Sequence, residues 1–252
     1  MKKFSPLQKA LAWATHTFTA SGMVAGFFAI LFIKDHQFVE AIYCLMAAFF
    51  IDGIDGTFAR MFKVKEVLPR MDGQTIDYVV DFANYAIIPA FFIYEAGYDL
   101  NGEYIYLLPE TWRWLAIALI LIVSGLYYGL DGMVSPDMYF KGFPVLWNLA
   151  AYYMYFVLHW SPWINFGLII FLSIAHFLPL KFVYPSRAVR FRIPNLIATA
   201  LGVTINVSYL ITIGSGMDIQ WLRIAAIIMA IYLCLLTLYN SFWEPKFQSQ
   251  HQ

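Results

Sequence analysis

Long uncharged apolar runs recur along this 252-residue sequence, and they limit its fold more than any other feature. Several runs reach about 20 residues, the length that a helix needs to cross the hydrocarbon core of a bilayer. Charged residues make up 13% of the chain and hydrophobic residues 61%, whereas a soluble globular domain carries about 25% charge. The sequence therefore predicts an all-α, polytopic membrane protein rather than a very apolar soluble one.

Eight segments are predicted to be transmembrane helices, at residues 11–33, 38–62, 73–97, 114–130, 143–158, 163–183, 193–213 and 221–243. With both termini in the cytoplasm, all of the 16 lysines and arginines fall on the cytoplasmic side except Lys34, Arg113 and Arg223. Cytoplasmic loops carry such an excess of basic residues. Because a wrong number of spans would scramble this asymmetry, we predict eight spans in a single membrane-embedded domain, residues 1–252, with both termini inside.

The second segment contains two aspartates in the stretch "FFIDGIDGTFARMF", residues 49–62. Carboxylates inside a membrane segment are costly and usually functional. Helical spacing places five residues on one face, namely Asp52, Asp55, Gly56, Ala59 and Arg60. Small side chains let a ligand approach the helix backbone, and an arginine can neutralise phosphate charge.

The third segment opens with "GQTIDYVVDFANY", in which Gly73, Asp77 and Asp81 are four residues apart and share a face. A short loop joins the second and third segments, so they are predicted to be antiparallel neighbours with four converging carboxylates. Hard divalent ions such as Mg²⁺ or Mn²⁺ suit an all-oxygen cluster. Two ions that share carboxylates would also clamp phosphoryl oxygens.

Other interpretations stay open for these residues taken one at a time. An intramembrane aspartate can serve as a proton relay or as a helix–helix hydrogen-bonding group. Gly53 and Gly56 can be small packing residues between helices, and Gly73 can be no more than the start of a helix.

Written in full, the pattern from Asp52 to Asp81 is D-G-x-D-G-x2-A-R-x12-G-x3-D-x3-D. It closely resembles the signature of the CDP-alcohol phosphatidyltransferases, D-x2-D-G-x2-A-R-x8-9-G-x3-D-x3-D. The longer gap between Arg60 and Gly73 departs from that pattern but is similar to that of the bacterial phosphatidylcholine synthases within the family. "TASGMVAG", from residue 19, resembles the T-x2-G-x3-G of the family's first helix, and segments 139–148 and 181–192 also resemble phosphatidylcholine synthase segments.

The resemblance implies an enzyme that transfers the phosphatidyl group of CDP-diacylglycerol to an alcohol and releases CMP. For the phosphatidylcholine synthases the alcohol is choline, and the implied cofactor is Mn²⁺ (or Mg²⁺), with two ions expected. By carry-over of motif positions, all four aspartates are metal-ligand candidates, and Asp77 and Asp81 are the catalytic candidates. Asp81 would take the proton from the choline hydroxyl. The implied nucleotide- and phosphate-binding residues are Asp55, Gly56, Ala59, Arg60 and Gly73.

Further candidates concern the two substrates. Arg187 and Arg190 are candidates for binding the phosphate of the lipid donor. Alternatively, they belong to the general excess of basic residues in cytoplasmic loops and contact anionic lipids. Proteins hold a quaternary ammonium with aromatic faces, so the choline-binding candidates are Tyr128, Asp131, Trp147 and Asn148. Interfacial aromatic residues are also common as plain membrane anchors.

The expected partners are membrane lipids, with no nucleic acid, and the resemblance implies a homodimer. The expected location is the inner (plasma) membrane of a bacterium, with the active site facing the cytoplasm.

Three other functions compete with this one. Another alcohol, such as the serine of a phosphatidylserine synthase, would keep the family, although Asp131 favours a cation that lacks a carboxylate. A UbiA-type prenyltransferase would need two aspartate-rich motifs on separate helix pairs, and the sequence shows no second motif with that spacing. An ion-coupled transporter would place its acids near the bilayer midplane, usually with broken helices.

Overall fold

The computed structural model describes residues 4–135, 138–183 and 192–242. Most of them are helical, which agrees with the predicted all-α class. The helices are α1 (Pro6–Lys34), α2 (Phe38–Met61), α3 (Val64–Val67), α4 (Gly73–Phe82), α5 (Ile88–Glu95), α6 (Arg113–Tyr128), α7 (Trp147–Tyr152), α8 (Pro162–Ala175), α9 (Arg192–Gly214) and α10 (Gln220–Phe242). Wider π-helical turns, Ala83–Ile87 and Tyr153–Leu158, follow α4 and α7, and a 3-10 turn, Glu110–Trp112, precedes α6. The strands are β1 (Gly97–Leu100), β2 (Glu103–Tyr106), β3 (Tyr139–Lys141) and β4 (Lys181–Val183).

Within the described part of the chain, five helical stretches are long and apolar enough to cross a membrane. They are Pro6–Lys34, Gly73–Glu95, Glu110–Tyr128, Ile193–Gly214 and Gln220–Phe242. The helix α8 is apolar but shorter. The chain is therefore a multi-pass membrane protein. Each of the eight predicted segments contains helix, and the number that cross the bilayer stays a prediction.

The sixth predicted span is shorter than expected, because α8 ends at Ala175 and not at residue 183. Pro179 follows a few residues later and cannot continue a helix, since its nitrogen carries no proton to donate. The chain instead enters β4, which pairs antiparallel with β3. β3 lies between α6 and α7 and β4 follows α8, so the pairing brings these two strands together, and the side of the membrane on which they lie stays a prediction.

The chain folds as two compact units. The first comprises Met1–Ile117 and Trp147–Ala151, and the second Ala118–Leu146 and Tyr152–Gln252. In the first unit α1 packs against α2 and also contacts α4 and α5. In the second unit α9 packs against α10, and β4 lies on α10. A single domain over residues 1–252 stays a prediction.

The long gap between Arg60 and Gly73 folds into the short helix α3. Lys63 adopts a left-handed conformation (φ 51°) that reverses the chain after α2. The buried side chains of Val64 and Val67 then pack against Ala12 of α1. The additional residues therefore form a structured corner of the first unit.

On the other side of the first unit, β1 and β2 form a hairpin that is fastened by Arg113. The guanidinium carbon of Arg113 lies 3.6 Å from the ring centroid of Tyr106 and 4.4 Å from that of Tyr94. Nη1 of Arg113 also donates a hydrogen bond to the Tyr94 carbonyl at 3.0 Å. These contacts give a structural role to one of the three basic residues that the predicted topology leaves outside the cytoplasm.

Candidate active site

The predicted acidic cluster is present where α2 and α4 meet. Asp52, Asp55 and Asp77 each offer a carboxylate oxygen, and these oxygens lie within 4.8 Å of one another. Asp55 is buried and the other two are half-buried. Three carboxylates at this separation repel one another unless a cation lies among them.

The chemistry of this group fits a hard divalent cation. All three donors are carboxylate oxygens, which suit Mg²⁺, Mn²⁺ or Ca²⁺ better than the metals that prefer sulfur or imidazole ligands. The arrangement therefore agrees with the predicted class of metal, and the identity of the ion stays a prediction.

Asp81 lies beside the group of three and is not part of it. Its half-buried carboxyl group interacts electrostatically with those of Asp52, Asp55 and Asp77. Asp81 follows Asp77 by one helical turn on α4, which accounts for its position next to the cluster. A metal ion held by Asp52, Asp55 and Asp77 would therefore lie near the Asp81 carboxylate. The group of three forms without Asp81.

Two hydroxyl groups lie at the aspartates of α2. The phenol of Tyr85 donates a hydrogen bond of 2.7 Å to Oδ2 of Asp52. The hydroxyl of Thr19 lies beside the carboxylate of Asp55 and, in the structure, donates to the Thr15 carbonyl at 3.3 Å. Neither residue was predicted to have a role, although Thr19 begins the T-x2-G-x3-G motif and Tyr85 follows Asp81 at the spacing that separates Asp77 from Asp81.

The glycines of that first-helix motif bring α1 close to the helix that carries Asp77 and Asp81. A Cβ atom on Gly22 would lie 2.9 Å from Cγ1 of Val80. A Cβ atom on Gly26 would collide with the side chains of Asn84 and Ile88. Asn84 fastens this contact by donating to the carbonyls of Gly22 (3.2 Å) and Val80 (3.0 Å).

The two signature glycines have different surroundings. A Cβ atom on Gly56 would meet only the end of Arg60, whose guanidinium nitrogen would be 3.3 Å away. A Cβ atom on Gly73 would lie 2.9 Å from Cε1 of the buried His16. Gly56 therefore borders space that a ligand can enter, whereas the absent side chain of Gly73 makes room for an imidazole ring.

The other two nucleotide-binding candidates flank this space. Arg60 is exposed, and its guanidinium donates to the hydroxyl of Thr57 at 3.2 Å. Ala59 is half-buried and packs against the apolar cluster formed by Ala12, Val64 and Val67. Its small size therefore allows α1 and α3 to lie close to α2.

Asp72 caps the helix that carries the catalytic candidates. Its carboxylate accepts hydrogen bonds from the Gln74 amide (3.1 Å) and the Thr75 hydroxyl (2.6 Å). The bond from Thr75, more than any other interaction, lowers the pKa of Asp72 below its usual value. The cap fixes the first turn of α4, from which Asp77 projects.

The choline-binding candidates are divided between the two units. In the first unit Trp147 is fully buried, and half-buried Asn148 accepts a hydrogen bond from the Leu149 amide. In the second unit Tyr128 is half-buried at the end of α6 and Asp131 is exposed. Arg187 and Arg190 lie outside the described residues. The roles of all six stay predictions.

Comparison with known proteins gives consistent matches. The family model described as CDP-alcohol phosphatidyltransferase matches residues 14–175, which include all four aspartates. The phosphatidylcholine synthase of Pseudomonas aeruginosa is 38% identical over 195 residues, or 77% of this chain and 78% of that protein. The phosphatidylcholine synthase of Borreliella burgdorferi is 32% identical over 237 residues, or 94% of this chain and 95% of that protein. That of Legionella pneumophila is 38% identical over 184 residues, or 73% of this chain and 69% of that protein.

Proposed function

Since this chain belongs to the CDP-alcohol phosphatidyltransferase family, we propose that it is a phosphatidylcholine synthase, which transfers the phosphatidyl group of CDP-diacylglycerol to choline. The observation that carries the proposal is the convergence of Asp52, Asp55 and Asp77, with Asp81 beside them, inside the family's signature. The identity to named phosphatidylcholine synthases over most of the chain supports choline as the acceptor.

In this proposal Asp52, Asp55 and Asp77 hold the divalent metal, Mn²⁺ or Mg²⁺, with two ions at the site. The bound metal would neutralise the diphosphate and polarise its phosphoryl oxygens. Phosphoryl transfer depends on positioning and charge stabilisation more than on covalent chemistry. The protein therefore has to hold three carboxylates together, and α1, which packs against both α2 and α4, supports that arrangement.

The nucleotide of CDP-diacylglycerol would bind over Gly56, where a Cβ atom would meet only the end of Arg60. The Arg60 side chain is exposed, donates to Thr57 of its own helix and interacts electrostatically with Asp55, so its guanidinium can turn towards a phosphate at the metal site. Arginine gives planar, charge-assisted hydrogen bonds to phosphate oxygens. The acyl chains of the donor would remain in the bilayer.

Asp81 would act as the general base. Its carboxylate lies outside the group of three, which leaves an oxygen free to take the proton from the choline hydroxyl. The choline oxygen forms a bond to the phosphorus that carries diacylglycerol, and the bond from that phosphorus to the bridging diphosphate oxygen breaks. The bridging oxygen leaves with CMP, and phosphatidylcholine remains in the membrane.

Residues outside the motif would complete the two substrate sites. We assign Tyr128, Asp131, Trp147 and Asn148 to choline, because aromatic faces and an acid suit a quaternary ammonium. Arg187 and Arg190 would contact the phosphate of the lipid donor.

We propose eight spans with both termini in the cytoplasm, in the inner membrane of a bacterium, with the active site facing the cytoplasm. The asymmetry of lysine and arginine along the sequence and the bacterial sources of the relatives support this arrangement. The family resemblance supports a homodimer. Topology reporters fused at the C-terminus should report a cytoplasmic location, and a periplasmic signal would overturn the eight-span topology.

An alcohol-competition assay tests the proposed reaction. Purified protein in detergent would receive CDP-diacylglycerol, Mn²⁺ and an equal mixture of choline, serine, glycerol 3-phosphate and inositol. The lipid product would be identified by mass. Phosphatidylcholine from the wild type, none from Asp81→Asn, and normal product from the control Asp99→Asn in β1 would support the proposal. Another phospholipid would overturn choline and keep the family. No release of CMP with any alcohol would overturn the enzyme.

A further inference from the structure

The aspartates of α2 each lie beside a hydroxyl group from a different neighbouring element. Tyr85 belongs to the π-helical turn after α4 and donates to Asp52. Thr19 belongs to α1, and its hydroxyl lies beside the Asp55 carboxylate. Both hydroxyl-bearing side chains are buried, with exposed fractions of 6% for Tyr85 and 8% for Thr19. The packing of three helical elements thus decides where the two carboxylates point.

Tyr85 is positioned by its helical register and by an aromatic neighbour. It lies four residues after Asp81 and eight after Asp77, so the three side chains share one face. Its ring packs edge-on against Phe49 of α2, with the centroids 6.3 Å apart. The π-helical turn widens the helix at this point, and such turns occur frequently at functional sites. The phenol is therefore held in place from both helices.

A hydroxyl donor is the type of group that this position requires. An ionised carboxylate has about four lone-pair sites, so one hydrogen bond to Oδ2 leaves the others for a metal. A lysine or arginine in the same place would neutralise the charge that attracts the cation. The phenol orients Asp52 and leaves its charge intact. Groups of this kind, which bond to metal ligands, fix ligand orientation in many metal sites.

Thr19 has two acceptors within reach, and its single proton can be donated to only one of them at a time. In the structure the hydroxyl donates to the Thr15 carbonyl, 3.3 Å away in its own helix, and the Asp55 carboxylate lies beside it. A charged acceptor gives a hydrogen bond roughly twice as strong as a neutral one. The hydroxyl therefore favours the Asp55 carboxylate when that group is ionised.

We propose that Tyr85 and Thr19 are positioning residues that preset Asp52 and Asp55 for the divalent metal, an inference that rests on the metal site proposed above. In the absence of these hydroxyls the two carboxylates can turn away from each other to relieve their repulsion. Binding of the metal must then reorder them, which weakens its affinity. Removal of a group that orients metal ligands typically lowers metal affinity or activity by about 10–100-fold.

Binding of Mn²⁺ alone to the purified full-length protein in detergent tests this proposal without any substrate. Free Mn²⁺ is measured by electron paramagnetic resonance, and the apparent melting temperature of the metal-free protein shows whether each variant folds. Tyr85→Phe and Thr19→Val should each weaken Mn²⁺ binding by about tenfold or more. Thr19→Ser, which keeps the hydroxyl, should bind as the wild type does.

Two matched variants make the same chemical changes away from the cluster. Tyr43→Phe removes a phenol from an exposed position of α2, and Thr15→Val removes a buried hydroxyl that donates to the Leu11 carbonyl. Both should bind Mn²⁺ as the wild type does. The activity of Tyr85→Phe should recover at saturating Mn²⁺, because an orientation defect changes the metal requirement and a damaged fold does not respond to metal.

The possible failures are distinguishable from one another. If Asp52→Asn weakens Mn²⁺ binding while folded Tyr85→Phe and Thr19→Val bind as the wild type does, the positioning proposal is overturned and the metal site stands. If the wild type binds no Mn²⁺, both are overturned. If Tyr85→Phe does not fold, the proposal is tested by the Mn²⁺ affinities of Thr19→Val and Thr19→Ser. Equal affinities for these two variants would overturn it.

Discussion

The imidazole ring of His16 occupies the place that a side chain on Gly73 would need. A Cβ atom built on Gly73 would lie 2.9 Å from Cε1 and 3.5 Å from Nδ1 of that ring. His16 lies on the buried face of α1, one turn before Thr19, and Gly73 begins the helix that carries Asp77 and Asp81. The contact therefore sets the distance between α1 and the first turn of α4.

Gly73→Ala should destabilise the protein, because the imidazole of a buried histidine has little room to move. Overpacking of this kind costs about 1–3 kcal/mol, which should appear as a lower apparent melting temperature in detergent. The same substitution made in a His16→Ala background should be much less destabilising, since residues in contact show non-additive effects. Equal losses in the two backgrounds would contradict a direct contact.

Gly56→Ala should preserve the stability of the protein and reduce its activity. The new methyl group would meet only the flexible end of Arg60, and alanine is a better helix former than glycine by up to about 1 kcal/mol. We expect unchanged or higher thermal stability together with a loss of kcat/KM for CDP-diacylglycerol of about tenfold, or about 1.4 kcal/mol. Gly53→Ala is the matched control, because a Cβ atom at Gly53 would have no neighbouring atom within 4 Å among the described residues. Normal activity in Gly56→Ala would show that no ligand approaches this glycine.

The sequence predicted which acids converge, but it did not predict what surrounds each glycine of the motif. Helical spacing alone predicted that the acids of α2 and α4 would converge, and the structure brings together Asp52, Asp55 and Asp77. Spacing cannot show which neighbour fills the space beside a glycine, so the contact between Gly73 and His16 was not predicted. That contact depends on the packing of α1, which is distant in sequence.

The same limit applies to the residues that support the cluster. Thr19 begins the T-x2-G-x3-G motif, but Asp55, beside which its hydroxyl lies, is on another helix. The short helix α3 was also not predicted, because its packing against Ala12 depends on tertiary contact and not on a periodic pattern. The end of α8 could have been placed more accurately from Pro179 alone.

Asp81→Asn and Asp77→Asn should separate proton transfer from metal binding. Asparagine at residue 81 cannot take the proton from choline, so kcat should fall by about 10²–10⁴-fold. Its binding of Mn²⁺ should stay near that of the wild type, because Asp81 lies outside the group of three carboxylates. Asp77→Asn should instead weaken Mn²⁺ binding directly. A measurement of Mn²⁺ affinity and of turnover for both variants checks this, and equal affinity losses would make Asp81 a metal ligand.

Addition of metal should stabilise the wild-type protein. A ligand that binds only the folded state at 100 times its Kd contributes about 2.7 kcal/mol, so Mn²⁺ should raise the apparent melting temperature and a chelator should reverse the increase. Asp77→Asn should lose most of this gain. Without metal the same variant should melt at or above the wild-type temperature, since it removes one of three mutually repelling charges. A metal-free variant that melts well below the wild type would show that Asp77 has a structural role in the fold.

Gly26→Ala should disturb the site from a greater distance. The added methyl group would collide with Asn84 and Ile88, at the contact where α1 lies against the helical stretch that carries Asp77 and Asp81. Because Asn84 is buried and hydrogen-bonded to Gly22 and Val80, it cannot move without breaking those bonds. We expect a loss of about 1–3 kcal/mol, measured by thermal unfolding, together with weaker Mn²⁺ binding as the helices separate. Gly167→Ala in α8, where a Cβ atom has no atom within 4 Å, is the control. A Gly26→Ala variant that melts and binds Mn²⁺ as the control does would contradict this prediction. It would show that α1 can move away from the helix that carries Asp77 and Asp81 without disturbing the carboxylates.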